Sequence, residues 1–430
     1  MPTILELTQL DQLSYSEDLA KDPLWLKMQE VGWKHIGRSS ELLEDEAGSN
    51  ASANGFSADA FLSPKGEAAI AIRGTESSSW KDLYADMQLS LHFPPDQSDS
   101  AKDFILAAKE QIVTSGQLLN EIHVTGHSLG GNLAQHIKNS YLEELKINVF
   151  GFAIADPGSA SEFPDSDHFL HLQPDADIIH HFGGQHTGRQ FTLDTPIPGY
   201  ALLEAHSVDN IAVNLALFYP QLSKLTPQEF LSLSADEQSA ILDGNTMPDE
   251  QKDLLWDAAS SLKTREDLAA FFFPAPGTDQ RLMLIDHYAE SVAADIETTL
   301  SRMQWYQGQN DREQTEEYEA LTRELSLLKS TEADLASLRL DLATSDQDKQ
   351  DFDSTEESSE NSSGPPHTSS IFSQLPELWK SLTEIAGAVQ EIEGVGYQME
   401  SLVAALKSGN DLQIIRSEEH TSELQSPYVI

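Results

Sequence analysis

The sequence predicts an α/β fold with a mostly parallel sheet, followed by an all-helical region and coiled-coil-like C-terminal helices. Three observations carry this reading. Between residues 60 and 215, short apolar runs alternate with segments of helical periodicity, the pattern of a parallel sheet covered by crossover helices. At residues 122–137, IHVTGHSLGGNLAQHI, an apolar run turns on glycines around a single serine and continues as a helix. From about residue 220 the strand signals stop and helix caps recur. The regions this implies are 1–220, 221–310, 311–343, 344–370 and 371–410, with 416–430 set apart.

The elements follow in order. Residues 1–60 mix short helical patterns with a polar loop, SSELLEDEAGSNASANG. EAAIAIRGT (67–75) reads as a buried strand ending on glycine. SAKDFILAAKEQIVTSG (100–116) has helical spacing and a terminal glycine. Residues 121–126 form the next strand and 132–145 the next helix. Residues 147–154 and 168–173 read as two further strands. MQLSLHFPPDQSDS (87–100), with an apolar start and a proline turn, is expected to form a lid.

Residues 226–307 look helical, broken at PAPG (274–277). Thr226-Pro227-Gln228-Glu229 is a capping box with proline at the first helical position, and Ser234 to Glu237 repeats the signal. The FFF run at 271–273 is expected in the core. In the charged helix 313–343, Leu321, Leu325, Leu328, Leu335 and Leu342 keep a 4-3 spacing that Glu332 and Arg339 interrupt. The acidic, serine-rich stretch 344–370 has too little apolar surface to order itself and is expected to be a disordered linker. Beyond it, Leu375, Leu378, Leu382, Ile385, Val389, Ile392, Met399, Val403 and Leu406 form a seam broken at Gly396. That helix is expected to pack back on 313–343, with self-association or membrane contact as alternatives. Arg416–Ser426 resembles the in-frame translation of a common DNA sequencing adapter, with PYVI as read-through. Residues 416–430 are therefore excluded from fold reasoning.

Composition removes several function classes. With 71 acidic against 26 basic residues the formal charge is −45. No nucleic-acid partner is expected, since phosphate backbones demand clustered Lys and Arg. Simple docking on anionic membranes is disfavoured on the same ground. The absence of cysteine excludes disulfides, thiolate catalysis and Cys-based zinc sites. The N-terminus has no basic, apolar leader, and no run is long enough for an integral membrane segment.

The chemistry gathers at Gly126-His127-Ser128-Leu129-Gly130. A serine hydroxyl needs a neighbouring base and a pocket for a developing oxyanion. A G-x-S-x-G elbow supplies the setting, with the serine atop a sharp strand-to-helix turn. The helix start also favours negative charge there. The acid and base should follow downstream in that order. Asp175 and Asp177 stand after a predicted strand, and His206 stands at a helix start. His180, His181 and His186 are chemically acceptable bases too. One oxyanion N–H should come from Leu129, and another from the loop 71–80, where Gly74 permits close approach and Thr75 adds a hydroxyl.

RGT followed by SSWKDLYADM, then VTGHSLGGNLA, DADII and EAHSVDN, resembles the class 3 lipase group of α/β-hydrolases over about residues 65–215. The resemblance implies an α/β-hydrolase fold and cleavage of carboxylic esters of lipids, as a triacylglycerol lipase or phospholipase. It implies Ser128 as nucleophile, Asp177 as acid, His206 as base, and Thr75 and Leu129 as the oxyanion hole. Asp175 stays open as the acid. It also implies that His127 packs under the turn, and that Asp82 and Asp86 hold the oxyanion loop. His180, His181 and His186 exceed the family pattern; they are expected to line the mouth of the site or the surface, with metal binding as the alternative. No cofactor is required. Some relatives carry calcium-binding RTX repeats and are secreted without an N-terminal signal, but no such nonapeptide occurs before residue 415. Secretion and a cytoplasmic location both remain compatible with the composition. A non-lipid esterase or thioesterase, or a non-catalytic module with a helical interaction tail, are the alternatives.

Overall fold

The computed structural model describes residues 1–43, 55–74, 95–140, 148–159, 168–177, 179, 185–195, 202–243, 247–306 and 312–352. All of these fall within one compact unit, Met1–Ile197 with Ala201–Ser358. The second unit, Pro198–Tyr200 with Ser359–Ile430, lies outside the described residues.

The unit is built on a seven-stranded sheet whose spatial order follows the chain. The strands are β1 (Lys34–Arg38), β2 (Ala58–Leu62), β3 (Glu67–Ile72), β4 (Glu121–His127), β5 (Val149–Ile154), β6 (Phe169–Pro174) and β7 (Arg189–Leu193). β1, β2 and β3 pair antiparallel, and β3 through β7 pair parallel. This is a mixed, mostly parallel sheet with helices on both faces, an α/β architecture.

Side-chain alternation explains the two faces. Along β3, Ala69 and Ala71 enter one apolar cluster, and Ala68, Ile70 and Ile72 enter the other. The second cluster is closed by α4 (Pro95–Thr114) and α5 (Leu129–Ser140) through Phe104, Ile105, Leu133 and Ile137. The first is closed by α1 (Ile4–Ser14), α2 (Pro23–Glu30) and α7 (Val208–Phe218), which follows the short α6 (Leu202–His206); the one-turn α3 (Ser39–Leu42) follows β1. α1 starts with a capping box between Thr3 and Glu6 and is buried nearly all round, so it lies inside the fold.

The helical region is continuous with this core. α8 (Pro227–Ser232), α9 (Ala235–Leu242), α10 (Asp249–Ala259) and α11 (Arg265–Phe272) contribute Phe230, Trp256 and Phe271 to the same cluster as α1. The Ile4 N–H donates to the Leu225 carbonyl at 2.8 Å. No boundary at residue 220 separates two bodies. The break expected at 274–277 falls between α11 and α12 (Gln280–Tyr306).

The last described element, α13 (Arg312–Phe352), bears on three expectations. First, the helix extends nine residues into the stretch read as linker; 353–370 lies outside the described residues. Propagating an existing helix costs no new nucleation, so a polar segment can continue one. Second, its partner among the described residues is α12, in an antiparallel hairpin bridged by Arg302–Glu317 and Arg339–Asp286. The heptad helix 371–410 is outside the described residues. Third, Leu335, Leu338 and Leu342 are buried, so Arg339 sits beside the seam rather than in it, while Glu332 is exposed.

Most of the segment expected to form a lid lies outside the described residues. Its residues 95–100 are the first turns of α4, with Ser98 buried. Among the described residues, no helix is long and apolar enough to cross a membrane.

Candidate active site

Register delivers the site. Ile72 pairs with Gly126, and Gly126 with Ala153. The C-terminal ends of β3, β4 and β5 therefore finish level, at the edge where parallel α/β sheets present ligands. Ser128 stands at that edge between β4 and α5, with φ 57°. For a residue with a Cβ this left-handed conformation costs roughly 1–2 kcal/mol, and it is held by the Ser128 N–H donating to the Ile154 carbonyl at 3.0 Å. The glycines around it are required by contact. A Cβ on Gly126 would strike the Gly130 backbone, and one on Gly130 would strike the Ile72 carbonyl. The first turn of α5 is thereby pressed against β3 and β4.

Ser128 is fully buried, and its Oγ has no hydrogen-bond partner. Leu129 opens α5, where first-turn amides have no intrahelical acceptor. Gly74 approaches from β3: a Cβ there would stand 3.0 Å from Ser128 Cβ and 2.9 Å from the Tyr15 hydroxyl. Thr75, Asp82, Asp86, His180 and His181 lie outside the described residues.

Downstream, the structure distinguishes the two aspartates. Asp177, fully buried, accepts the Ile179 N–H on Oδ1 at 2.9 Å and faces His206 Nδ1 through Oδ2 at 2.8 Å. Asp175 instead accepts from the Thr195 N–H and hydroxyl at 2.9 and 2.6 Å. Burial raises its carboxyl above the ordinary value despite those bonds. With Nδ1–H donated to Asp177, His206 keeps its lone pair on Nε2, which is buried and without a partner. Ser128 Oγ and His206 Nε2 are thus both open, and the serine–imidazole bond itself is not formed in this structure.

His127 ties the two halves together. Its Nε2 lies 2.6 Å from the His206 carbonyl oxygen, which can only accept, so Nε2 carries the proton. Burial, then the nearby His206 charge, push its pKa well down, so the ring is neutral. Its Nδ1 therefore accepts from the Tyr15 hydroxyl at 3.0 Å. The Tyr15 oxygen in turn accepts the Gly74 N–H at 3.0 Å. One directed chain, Gly74 to Tyr15 to His127 to the His206 backbone, links the end of β3, the N-terminal helix, the elbow and the segment carrying the imidazole. Both ring nitrogens of His127 are committed, so it cannot act as the base. Beside it, the Thr125 hydroxyl donates to Asp11 of α1 at 2.7 Å.

Sequence reasoning did not single out Tyr15, Asp11, Asp156 or His171. The last two form a second buried histidine–carboxylate cluster with His186. Burial pushes the Asp156 carboxyl up, but the charges of His171 and His186 and a His171 hydrogen bond outweigh this and hold it well below the ordinary range. An aspartate directly after an apolar strand, IADPG, was the available signal. His186 is 9 % exposed at its side chain and engaged with Asp156, so it does not line an open mouth.

Over residues 39–179 the chain matches the model of a family described as Mbeg1-like. That family is itself described as lipase-like, and the match points to a lipase-like hydrolase. It spans Ser128 and Asp177 and stops before His206. No curated protein matches the chain.

Proposed function

We propose that the protein is a serine hydrolase of α/β-hydrolase fold, similar to the class 3 lipases, that cleaves carboxylic esters of lipids. One observation carries the reading: a serine in a left-handed turn with an unpartnered Oγ, next in the chain to a histidine whose ring is hydrogen-bonded to the backbone of His206, an imidazole whose Nδ1 faces a buried aspartate and whose Nε2 is unpartnered. In this reading Ser128 attacks the acyl carbonyl as His206 Nε2 takes its proton. Asp177 fixes the tautomer and stabilises the imidazolium. The amides of Leu129 and Thr75 receive the oxyanion. His206 then protonates the departing alcohol, and water, deprotonated by the same nitrogen, releases the acid from Ser128. Hydroxyl and imidazole must approach for the first step; such bonds are often open until substrate binds. No cofactor enters these steps.

A fluorophosphonate probe tests the reaction class. Labelling of wild type that disappears in Ser128→Ala and fails in His206→Ala supports the reading; a folded wild-type protein that does not label overturns it. Hydrolysis of p-nitrophenyl esters of rising chain length, against phosphatidylcholine cut at either acyl position, tests the lipid assignment. A preference confined to the shortest ester would favour a non-lipid esterase.

A further inference from the structure

Behind the elbow, the ends of β5 and β6 carry a second constellation. Asp156 follows Ala155, itself at φ 51°; His171 sits in β6 and His186 just before β7. Asp156 and His171 are fully buried. One donor atom from each of the three lies within 4.8 Å of the others. His171 Nδ1 stands 2.9 Å from Asp156 Oδ1, and His186 Nε2 stands 3.5 Å from Asp156 Oδ2. Donors around a tetrahedral ion with bonds of about 2.0–2.1 Å are roughly 3.3 Å apart, so the set is near the required spread already.

The second observation is the tautomer. His171 Nε2 lies 2.8 Å from the Thr187 carbonyl, which fixes the proton on that nitrogen. Nδ1 is thereby aimed at Asp156 Oδ1 at 2.9 Å, through its own proton when the ring is charged and through a cation when one replaces that proton. A backbone carbonyl on the far nitrogen is also how metal-bound imidazoles are oriented. Gln173 completes the surround: its amide nitrogen is 2.7 Å from Asp156 Oδ1 and 3.3 Å from His186 Nε2. Its Oε1 is buried with no donor.

We propose that Asp156, His171 and His186 bind one first-row divalent cation, zinc by the nitrogen-rich, buried donor set. The ion braces the ends of β5 and β6 with the segment 185–187. Gln173, which touches two of the three, stands four residues before Asp177 in the chain. Calcium is disfavoured because it takes oxygen ligands.

The test uses the full chain without an affinity tag, stripped by chelator and dialysed. Zinc chloride is titrated calorimetrically and against a chromophoric chelator; cobalt chloride is added in parallel to read the visible spectrum. One tight equivalent per chain, an intense tetrahedral cobalt spectrum, and loss of that equivalent in His186→Ala support the site. With 14 histidines in the chain, adventitious binding is the main alternative. Uptake that is weak, exceeds one equivalent without a tight class, or persists unchanged in His186→Ala overturns the proposal. So does no uptake by wild type, a result that does not depend on whether a variant folds. The readout is metal binding, so its failure leaves the hydrolase reading standing, and the reverse.

Discussion

Two buried histidine–carboxylate pairs stand at the same sheet edge, and they differ at the far nitrogen. In Asp177–His206 the carboxylate faces Nδ1 at 2.8 Å and Nε2 is open. In Asp156–His171 the carboxylate faces Nδ1 at 2.9 Å and Nε2 is bound to a carbonyl. An imidazole open on one side can take a proton and hand it on. One closed on both sides can only hold its neighbours, or a cation, in place. In the proposed function the same two residue types serve a reaction in one pair and an architecture in the other, and the second hydrogen bond makes the difference.

The largest expected effect attacks the open pair. Ser128→Ala and His206→Ala should each lower kcat by about 10⁴-fold or more, and the double variant should lose little beyond either. Additive losses in steady-state hydrolysis would mean that the two groups do not act as a unit.

Exchanging the lesion between the pairs sharpens the contrast. Asp177→Asn should cut kcat by about 10⁴-fold by releasing the wrong tautomer of His206. Asp156→Asn should instead cost about 3–5 kcal/mol of stability, because it strips the partner from buried His171. Denaturant midpoints and kcat, measured on both variants, should move in opposite proportion. Equal stability losses would erase the distinction drawn here.

How much of this was legible in the sequence depends on how local each contact is. The elbow could be read because its constraint falls within five residues: only glycine fits where Gly126 and Gly130 touch backbone. The acid could be narrowed to Asp175 or Asp177 but not chosen, since Thr195, 20 residues on, captures the first. Tyr15 reaches His127 across 112 residues, and no periodicity foretells such a contact. In α13 the heptad template stepped onto Arg339 where the helix uses Leu338. A straight 3.6-residue helix drifts against a strict seven-residue repeat.

Tyr15 offers a smaller test between the two classes of role. Tyr15→Phe leaves the ring but removes the oxygen that receives the Gly74 N–H and the proton given to His127. Misplacing the oxyanion loop should lower kcat by about 10- to 100-fold with KM little changed. The stability loss should be about 1–3 kcal/mol for the orphaned groups. A fall in stability without a kcat effect would show that the chain from Gly74 to His206 only packs.

The smallest effect on turnover should come from Asp11, which touches the elbow's strand but not the elbow. Burial raises its pKa well above the ordinary value, against the lowering from Thr125. Its Oδ1 is buried without a partner, which disfavours the charged form. An unfolded aspartate ionises near 3.9. Above that pH the unfolded chain sheds the proton while the folded chain keeps it, so folding binds a proton and stability falls as pH rises. The contribution is fully present below pH about 4 and declines by up to about 1.4 kcal/mol per pH unit until the folded-state value is passed. Asp11→Asn cannot ionise and should remove that slope, leaving a variant more stable than wild type at neutral pH relative to pH 4. Denaturant unfolding from pH 4 to 8, on both proteins, reads the slope directly. Parallel curves would mean that Asp11 is charged in the folded state, and the Thr125 hydroxyl would then be holding a carboxylate against β4 rather than a neutral acid.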